Sequence, residues 1–178
     1  VLALMHTSVM AFCARYLAPA AVAGRRVVEV GACDVNGSAR SLVVGAASYL
    51  GVDIRPGPGV DVVMAGENLP PACADVLVCT ETLEHVGDWR AFLEGLGRAL
   101  VPGGLLVLTC RGPGFPRHDH PEDHWRFTVA HLGAAFARWR ILELAEDPEA
   151  PGVLLAAIRP DGPPFGDLAA IEVLPAPD

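Results

Sequence analysis

Three histidines stand within seven residues, His118, His120 and His124, with Asp119, Glu122 and Asp123 between them. Imidazole is the side chain that most readily takes and returns a proton near neutral pH. This stretch is therefore the first place to look for general-base chemistry. Imidazole and carboxylate together also suit several divalent ions. The histidines lie in a polar loop, however, and nothing in their spacing makes them converge. No metal is expected, and His118, His120 and His124 are kept as candidate general bases. A structural account of the same loop anchors Trp125 and Phe127 in the core and has Arg126 hydrogen-bonding to carbonyls.

A second constellation lies earlier, in VVEVGACDVNGSAR (27–40). An apolar run passes through Glu29 into Gly31, where the absence of a side chain lets another group approach the backbone. Asp53 follows 22 residues after Gly31, at the end of the next apolar run. A carboxylate so placed can accept both hydroxyls of a ribose. A dinucleotide fingerprint would need glycine at three positions held here by Gly31, Cys33 and Asn36. Two of the three are missing, which disfavours a pyrophosphate cradle. Cys33, Cys79 and Cys110 fall near the ends of adjacent apolar runs, and burial of small side chains accounts for them.

These residues require a framework of strands ending at one edge. Residues 2–17 read as an apolar helix. Continuous apolar runs bounded by glycine predict buried parallel strands at 26–30, 48–52, 60–64, 74–80 and 105–110. Asn36 is expected to open a helix to Val44. Asp88 is expected to cap a helix over Trp89–Leu100, and Thr128 one running to about Arg138. Residues 111–127 read as a loop. Segments 140–147 and 152–159 are joined too tightly for a parallel crossover and should pair antiparallel. The chain divides into an N-terminal helix (1–24), a main domain (25–160) and a Pro-rich tail (161–178) expected to be partly frayed.

Bulk properties limit the partners. A chain of 178 residues with 52% hydrophobic residues can bury a real core. Its formal charge of −8 repels phosphate backbones, so no nucleic-acid partner is expected. All 13 basic residues are arginine. Five cysteines without C-x-x-C spacing fit neither a zinc site nor a disulfide framework, and suggest a cytoplasmic protein. No signal peptide or membrane span is expected, because His6, Thr7 and Ser8 interrupt the first apolar run.

The first motif, 27–40, resembles motif one of class I S-adenosylmethionine-dependent methyltransferases. The block ADVLVCTETLEHVGDWRAFLEGLGRALVPGGLLVLT (74–109) resembles the fourth strand, helix and fifth strand of that superfamily. HDHPEDHWRFT (118–128) resembles the segment after the fifth strand in one subgroup of small methyltransferases. Together the resemblance spans about residues 25–159. It implies an α/β, Rossmann-like, doubly wound sheet of seven mostly parallel strands, in the order 3-2-1-4-5-7-6 with strand seven antiparallel. It implies S-adenosylmethionine as cofactor, with Glu29 and Gly31 beside the methionine part and Asp53 on the ribose. Glu67, Asn68 and Leu69 would lie near the adenine, and Thr80 and Glu81 under the sulfonium. Cys33 replaces the usual second glycine, and Ala65 an acidic residue often found after the third strand.

The fourth strand ends in CTETLEH, not in the Asn/Asp-Pro-Pro-aromatic motif of enzymes that methylate nucleobase amines. A small-molecule acceptor is expected, bound through oxygen or nitrogen. Its pocket would come from the N-terminal helix, the 111–127 loop or a second copy in a homodimer. Cys33 and Ala65 favour the rival reading, a binding or partner subunit that keeps the sheet without turnover.

Overall fold

The computed structural model describes residues 7–35, 37–119 and 121–178. Two helices, α1 (Thr7–Tyr16) and α2 (Pro19–Val22), precede strand β1 (Arg26–Val30). Next come β2 (Ser48–Asp53), β3 (Val62–Val63), β4 (Ala74–Thr80), α3 (Trp89–Ala99) and β5 (Leu100–Arg111). The chain closes with β6 (Trp125–Arg126), α4 (Val129–Ala135), β7 (Arg140–Glu146), β8 (Gly152–Ile158) and β9 (Leu174–Pro175). The main sheet runs β3-β2-β1-β4-β5-β8-β7, and β8 is antiparallel to both of its neighbours. This is the expected seven-strand order. The two-residue β6, which pairs with β9 outside the main sheet, shifts the numbering of the last two strands.

Both faces of the central strands are buried, which is why they read as unbroken apolar runs. Val27, Val76, Val78, Leu105 and Val107 face α1, where Val9, Phe12 and Cys13 meet them. Val28, Val30, Leu77, Leu106 and Leu108 face the other way, toward Trp89, Phe92, Leu93 and Leu96 of α3 and Leu132 of α4. Asp88 caps α3, its Oδ1 accepting from the Ala91 amide at 3.1 Å. Thr128 caps α4 in a reciprocal box, accepting from the His131 amide while its own amide donates to the His131 ring, both at 3.2 Å. Each cap satisfies amides that the helix itself leaves unpaired.

Three segments depart from expectation. Between β1 and β2 there is only one 3-10 turn, Ala39–Leu42, capped by Ser38 through the Arg40 amide. Asn36 lies outside the described residues, as do residues 2–6 of the first predicted helix. β3 is shorter than 60–64, since only Val62 and Val63 pair with β2. The Pro-rich tail is pinned rather than frayed. Phe165 sits against Phe136 and Trp139, at ring separations of 5.3 and 5.6 Å. Trp139 donates to the Pro164 carbonyl at 2.7 Å, and Arg90 to those of Leu168 and Ile171 at 3.0 and 2.7 Å. Proline lacks an amide donor but keeps its carbonyl, so side-chain donors can hold a chain that forms little ladder of its own.

Candidate active site

The carboxyl ends of β1 and β2 form one half of the site. Gly31 takes a left-handed φ of +78°, which glycine alone adopts without strain. Its amide and that of Ala32 donate to the Val52 carbonyl at 2.9 and 3.1 Å, folding the turn onto the end of β2. A β-carbon on Gly31 would stand 1.9 Å from Thr82 Oγ1. The expected close approach to this glycine is thus already made by the end of β4. Asp53 is half-buried, one oxygen accepting from the Cys33 amide at 3.2 Å and the other from the Arg55 amide at 3.0 Å. A carboxylate has about four acceptor positions, so lone pairs remain on both oxygens.

Glu29 points to the opposite face. Its carboxylate accepts from Tyr49 Oη, from Ser38 Oγ at 3.1 Å and from the Ala39 amide at 3.3 Å. It fastens the 38–39 turn to β1 and β2, and burial raises its pKa despite those bonds. Glu67 and Asn68 lie on the 3-10 turn Gly66–Asn68. That turn rests on α3, where a β-carbon at Gly95 would come within 2.4 Å of Glu67 Cα. Asn68 is exposed, whereas the Leu69 side chain belongs to the core beneath.

The ends of β4 and β5 form the other half, and their chemistry is different. Thr80 is buried. Glu81 follows it with φ +51°, a left-handed conformation unusual outside glycine. It is held there by Thr109, whose backbone carbonyl accepts the Glu81 amide at 3.0 Å and whose hydroxyl donates to the Glu81 carboxylate at 2.7 Å. The same carboxylate forms an ion pair with Arg111, whose guanidinium also lies 3.4 Å from Asp147 and stacks 4.4 Å from the Phe115 ring centre.

Glu84 is wholly buried, and neither carboxylate oxygen has a hydrogen-bond partner among the described residues. Burial raises the pKa of both Glu81 and Glu84, helped by the charge of Glu84 beside Glu81 and by that of Asp123 beside Glu84. His118 lies beside Glu84, with Nε2 3.9 Å from Oε1, and its Nδ1 lies 3.1 Å from Asp123. Asp123 in turn takes two hydrogen bonds from Arg126, at 2.6 and 2.7 Å. These partners hold its pKa below the usual carboxylate range even though burial opposes them.

Of the loop histidines, His118 is therefore brought into the buried cluster. His124 pairs at 3.0 Å with Glu122, which is exposed, and His120 lies outside the described residues. The anchoring of the loop matches expectation. Phe127 is in the core, Trp125 donates to the Val86 carbonyl at 2.9 Å, and Arg126 donates to the carbonyls of Phe115 and Pro116. Glu84, His85, Arg111, Asp123 and Asp147 were not among the expected site residues. The one local hint was an acid and a histidine adjoining the apolar end of β4. All five cysteines are unpaired, and Cys79 and Cys110 are core thiols whose pKa burial pushes up.

A methyltransferase-domain family model matches residues 4–146. The chain belongs to this family, the class I S-adenosylmethionine-dependent methyltransferases. A ubiquinone biosynthesis O-methyltransferase of Parvibaculum lavamentivorans is 34% identical over 90 residues, which make up 51% of this chain and 33% of that protein. The chain thus spans about a third of that relative's length. The fold is similar to that of a Burkholderia thailandensis 1,6-didemethyltoxoflavin-N1-methyltransferase solved with S-adenosylhomocysteine. The TM-score is 0.69 at 16% identity, covering 86% of this chain and 79% of that one. It is also similar to an N-methyltransferase of Bradyrhizobium japonicum, with TM-score 0.62 at 16% identity over 83% and 92% of the two chains. The residues present fit the family's cofactor, since the remaining lone pairs of Asp53 at the end of β2 suit a ribose diol. No helix among the described residues is long and apolar enough to cross a membrane.

Proposed function

We propose that the chain transfers the methyl group of S-adenosylmethionine to a small-molecule acceptor through oxygen or nitrogen. The observation that carries this is the meeting, at one edge of a methyltransferase sheet, of a ribose-type carboxylate (Asp53) with a separate buried acid–base cluster (Glu81, Glu84 and His118). When bound, the cofactor supplies an electrophilic methyl on a sulfonium. Asp53 orients the ribose, Glu29 keeps the 38–39 turn in place, and the 66–68 turn borders the adenine. The cluster at the ends of β4 and β5 faces the acceptor and excludes water, and an acceptor hydroxyl gives up its proton to it.

Two features support a small acceptor. The loop 111–127 is drawn inward through Arg126. The first turn of α1 reaches the β7–β8 turn through the Ser8 amide and Glu149, at 2.9 Å. Those segments would roof a confined pocket. The relatives named above divide between oxygen and nitrogen acceptors, so the acceptor atom is left as either.

The test is calorimetric binding of S-adenosylhomocysteine. Asp53→Ala should weaken it by about 1.5–3 kcal/mol, roughly 10- to 150-fold, the contribution of hydrogen bonds to a charged group. Unchanged affinity in a folded Asp53→Ala protein would remove Asp53 from the ribose.

A further inference from the structure

We infer that Glu84, His85 and His118 form a binding site for one divalent transition-metal cation. Each offers a ligand atom, and these atoms lie within 4.8 Å of one another. Nitrogen and oxygen donors around a single ion at bond lengths near 2.0–2.2 Å stand about 3–3.6 Å apart. Small rotations of the three side chains would close that gap.

Glu84 supplies the strongest argument. It has no exposure, and neither of its oxygens has a hydrogen-bond partner among the described residues. Two guanidiniums lie close enough to influence it, yet both are engaged elsewhere. Arg111 is paired with Glu81 and Asp147, and Arg126 with Asp123. A buried carboxylate without compensation is costly, and a protonated one would still bury a hydroxyl donor without an acceptor. Among the described residues, the permanent cations facing the four carboxylates of the cluster, Glu81, Glu84, Asp123 and Asp147, are those two arginines. A dication restores the balance.

The histidines are oriented as metal-binding histidines are. His85 Nδ1 lies 2.6 Å from the Glu122 carbonyl, which can only accept, so Nδ1 carries the proton and Nε2 the lone pair. His118 Nδ1 lies 3.1 Å from the Asp123 carboxylate, and its Nε2 turns toward Glu84. A carboxylate or carbonyl behind each imidazole fixes the tautomer and strengthens it as a donor. Two imidazoles and one carboxylate suit borderline ions such as Zn²⁺, Fe²⁺, Co²⁺ or Mn²⁺ and leave coordination positions open. If the proposed methyl transfer is correct, an acceptor oxygen entering one of these would give up its proton to water more readily, and the ion would then take over the part that the proposed function gives to His118.

The test uses tag-free full-length protein stripped with a chelator and dialysed. It is titrated with Co²⁺ by visible absorption and with Zn²⁺ by calorimetry, and melting is followed with and without ion. Saturable binding of one equivalent, together with a raised melting temperature, is expected. Glu84→Gln and His85→Asn should each weaken binding at least tenfold. If Glu84→Gln does not fold, as judged by circular dichroism, His85→Asn carries the comparison alone. No saturable binding, or wild-type affinity in folded variants, overturns the site. S-adenosylhomocysteine binding on the same stripped sample reports separately on the methyltransferase reading. Cofactor binding without ion binding would therefore defeat this inference and leave that reading standing.

Discussion

The two halves of the site are built on different physical terms. At the ends of β1 and β2 the work is done by backbone, since the Gly31 turn hangs on the Val52 carbonyl and Asp53 is steadied by two amides in a half-exposed place. At the ends of β4 and β5 it is done by ionisable side chains out of contact with water, Arg111, Asp123, Arg126 and Glu84 among them. A backbone-built half can lose a side chain and let water take its place. A half built from buried charge cannot, because each group removed leaves its partner desolvated and unpaired. The first half should therefore respond to mutation mainly in binding, and the second in turnover and stability together.

The largest expected effect lies in the second half. His118→Ala should lower turnover by roughly 10²–10⁴-fold, the usual range for losing a positioned proton-transfer group, while S-adenosylhomocysteine affinity changes little. Single-turnover kinetics beside calorimetry would show it. If cofactor affinity fell as far as turnover, the division into two halves would fail.

Next comes stability. Asp123 and Arg126 are paired with almost no exposure. Asp123→Ala strands the guanidinium and should cost about 3–5 kcal/mol in urea denaturation. Asp53→Ala removes the acceptor of two amide donors where water can replace it, and should cost about 1 kcal/mol. Equal losses would mean that the carboxylate at the end of β2 is as structural as the one in the loop.

The sequence and the structure agree most closely where the signal is local. Asp88 and Thr128 are caps because their side chains bond amides three residues away, and such spacing is visible in any sequence. The strands were visible as apolar runs, and their order followed from the methyltransferase resemblance. The buried cluster was hidden because the links that join its two local pieces span 30 residues or more, as in Glu81–Arg111, Arg111–Asp147 and Glu84–His118. No periodicity marks such pairs. The 3-10 turn at 39–42 escaped because the carboxylate of Glu29, itself on a strand, takes the Ala39 amide and Ser38 hydroxyl that a longer helix would have organised differently. The packed tail had one visible sign, Phe165 within a run of prolines and glycines, and its meaning depended on Trp139 and Phe136 being opposite.

The smallest effect sharpens the comparison from within the first half, where Glu29 is the one buried acid among the described residues. Its pKa is raised by burial, only partly offset by bonds from Tyr49, Ser38 and Ala39. The native state therefore holds this proton more tightly than the unfolded chain, whose glutamate titrates near about 4.3. The stabilising contribution of the protonated form is fully present below that value. It is lost as pH rises through the higher folded value, because the unfolded state ionises first. Glu29→Gln cannot ionise and should lack this loss. The difference in unfolding free energy between Glu29→Gln and wild type should grow as pH rises above about 4.3 and level off once native Glu29 is ionised. Taking the difference cancels the other carboxylates, Glu81 and Glu84 included. Denaturant midpoints at several pH values would measure it. A flat difference would mean that Glu29 ionises alike in both states, and that its three donors fully compensate its burial. The opposite slope would mean that they overcompensate it, making Glu29 a stabilising charge like Asp123 and erasing the electrostatic contrast between the halves.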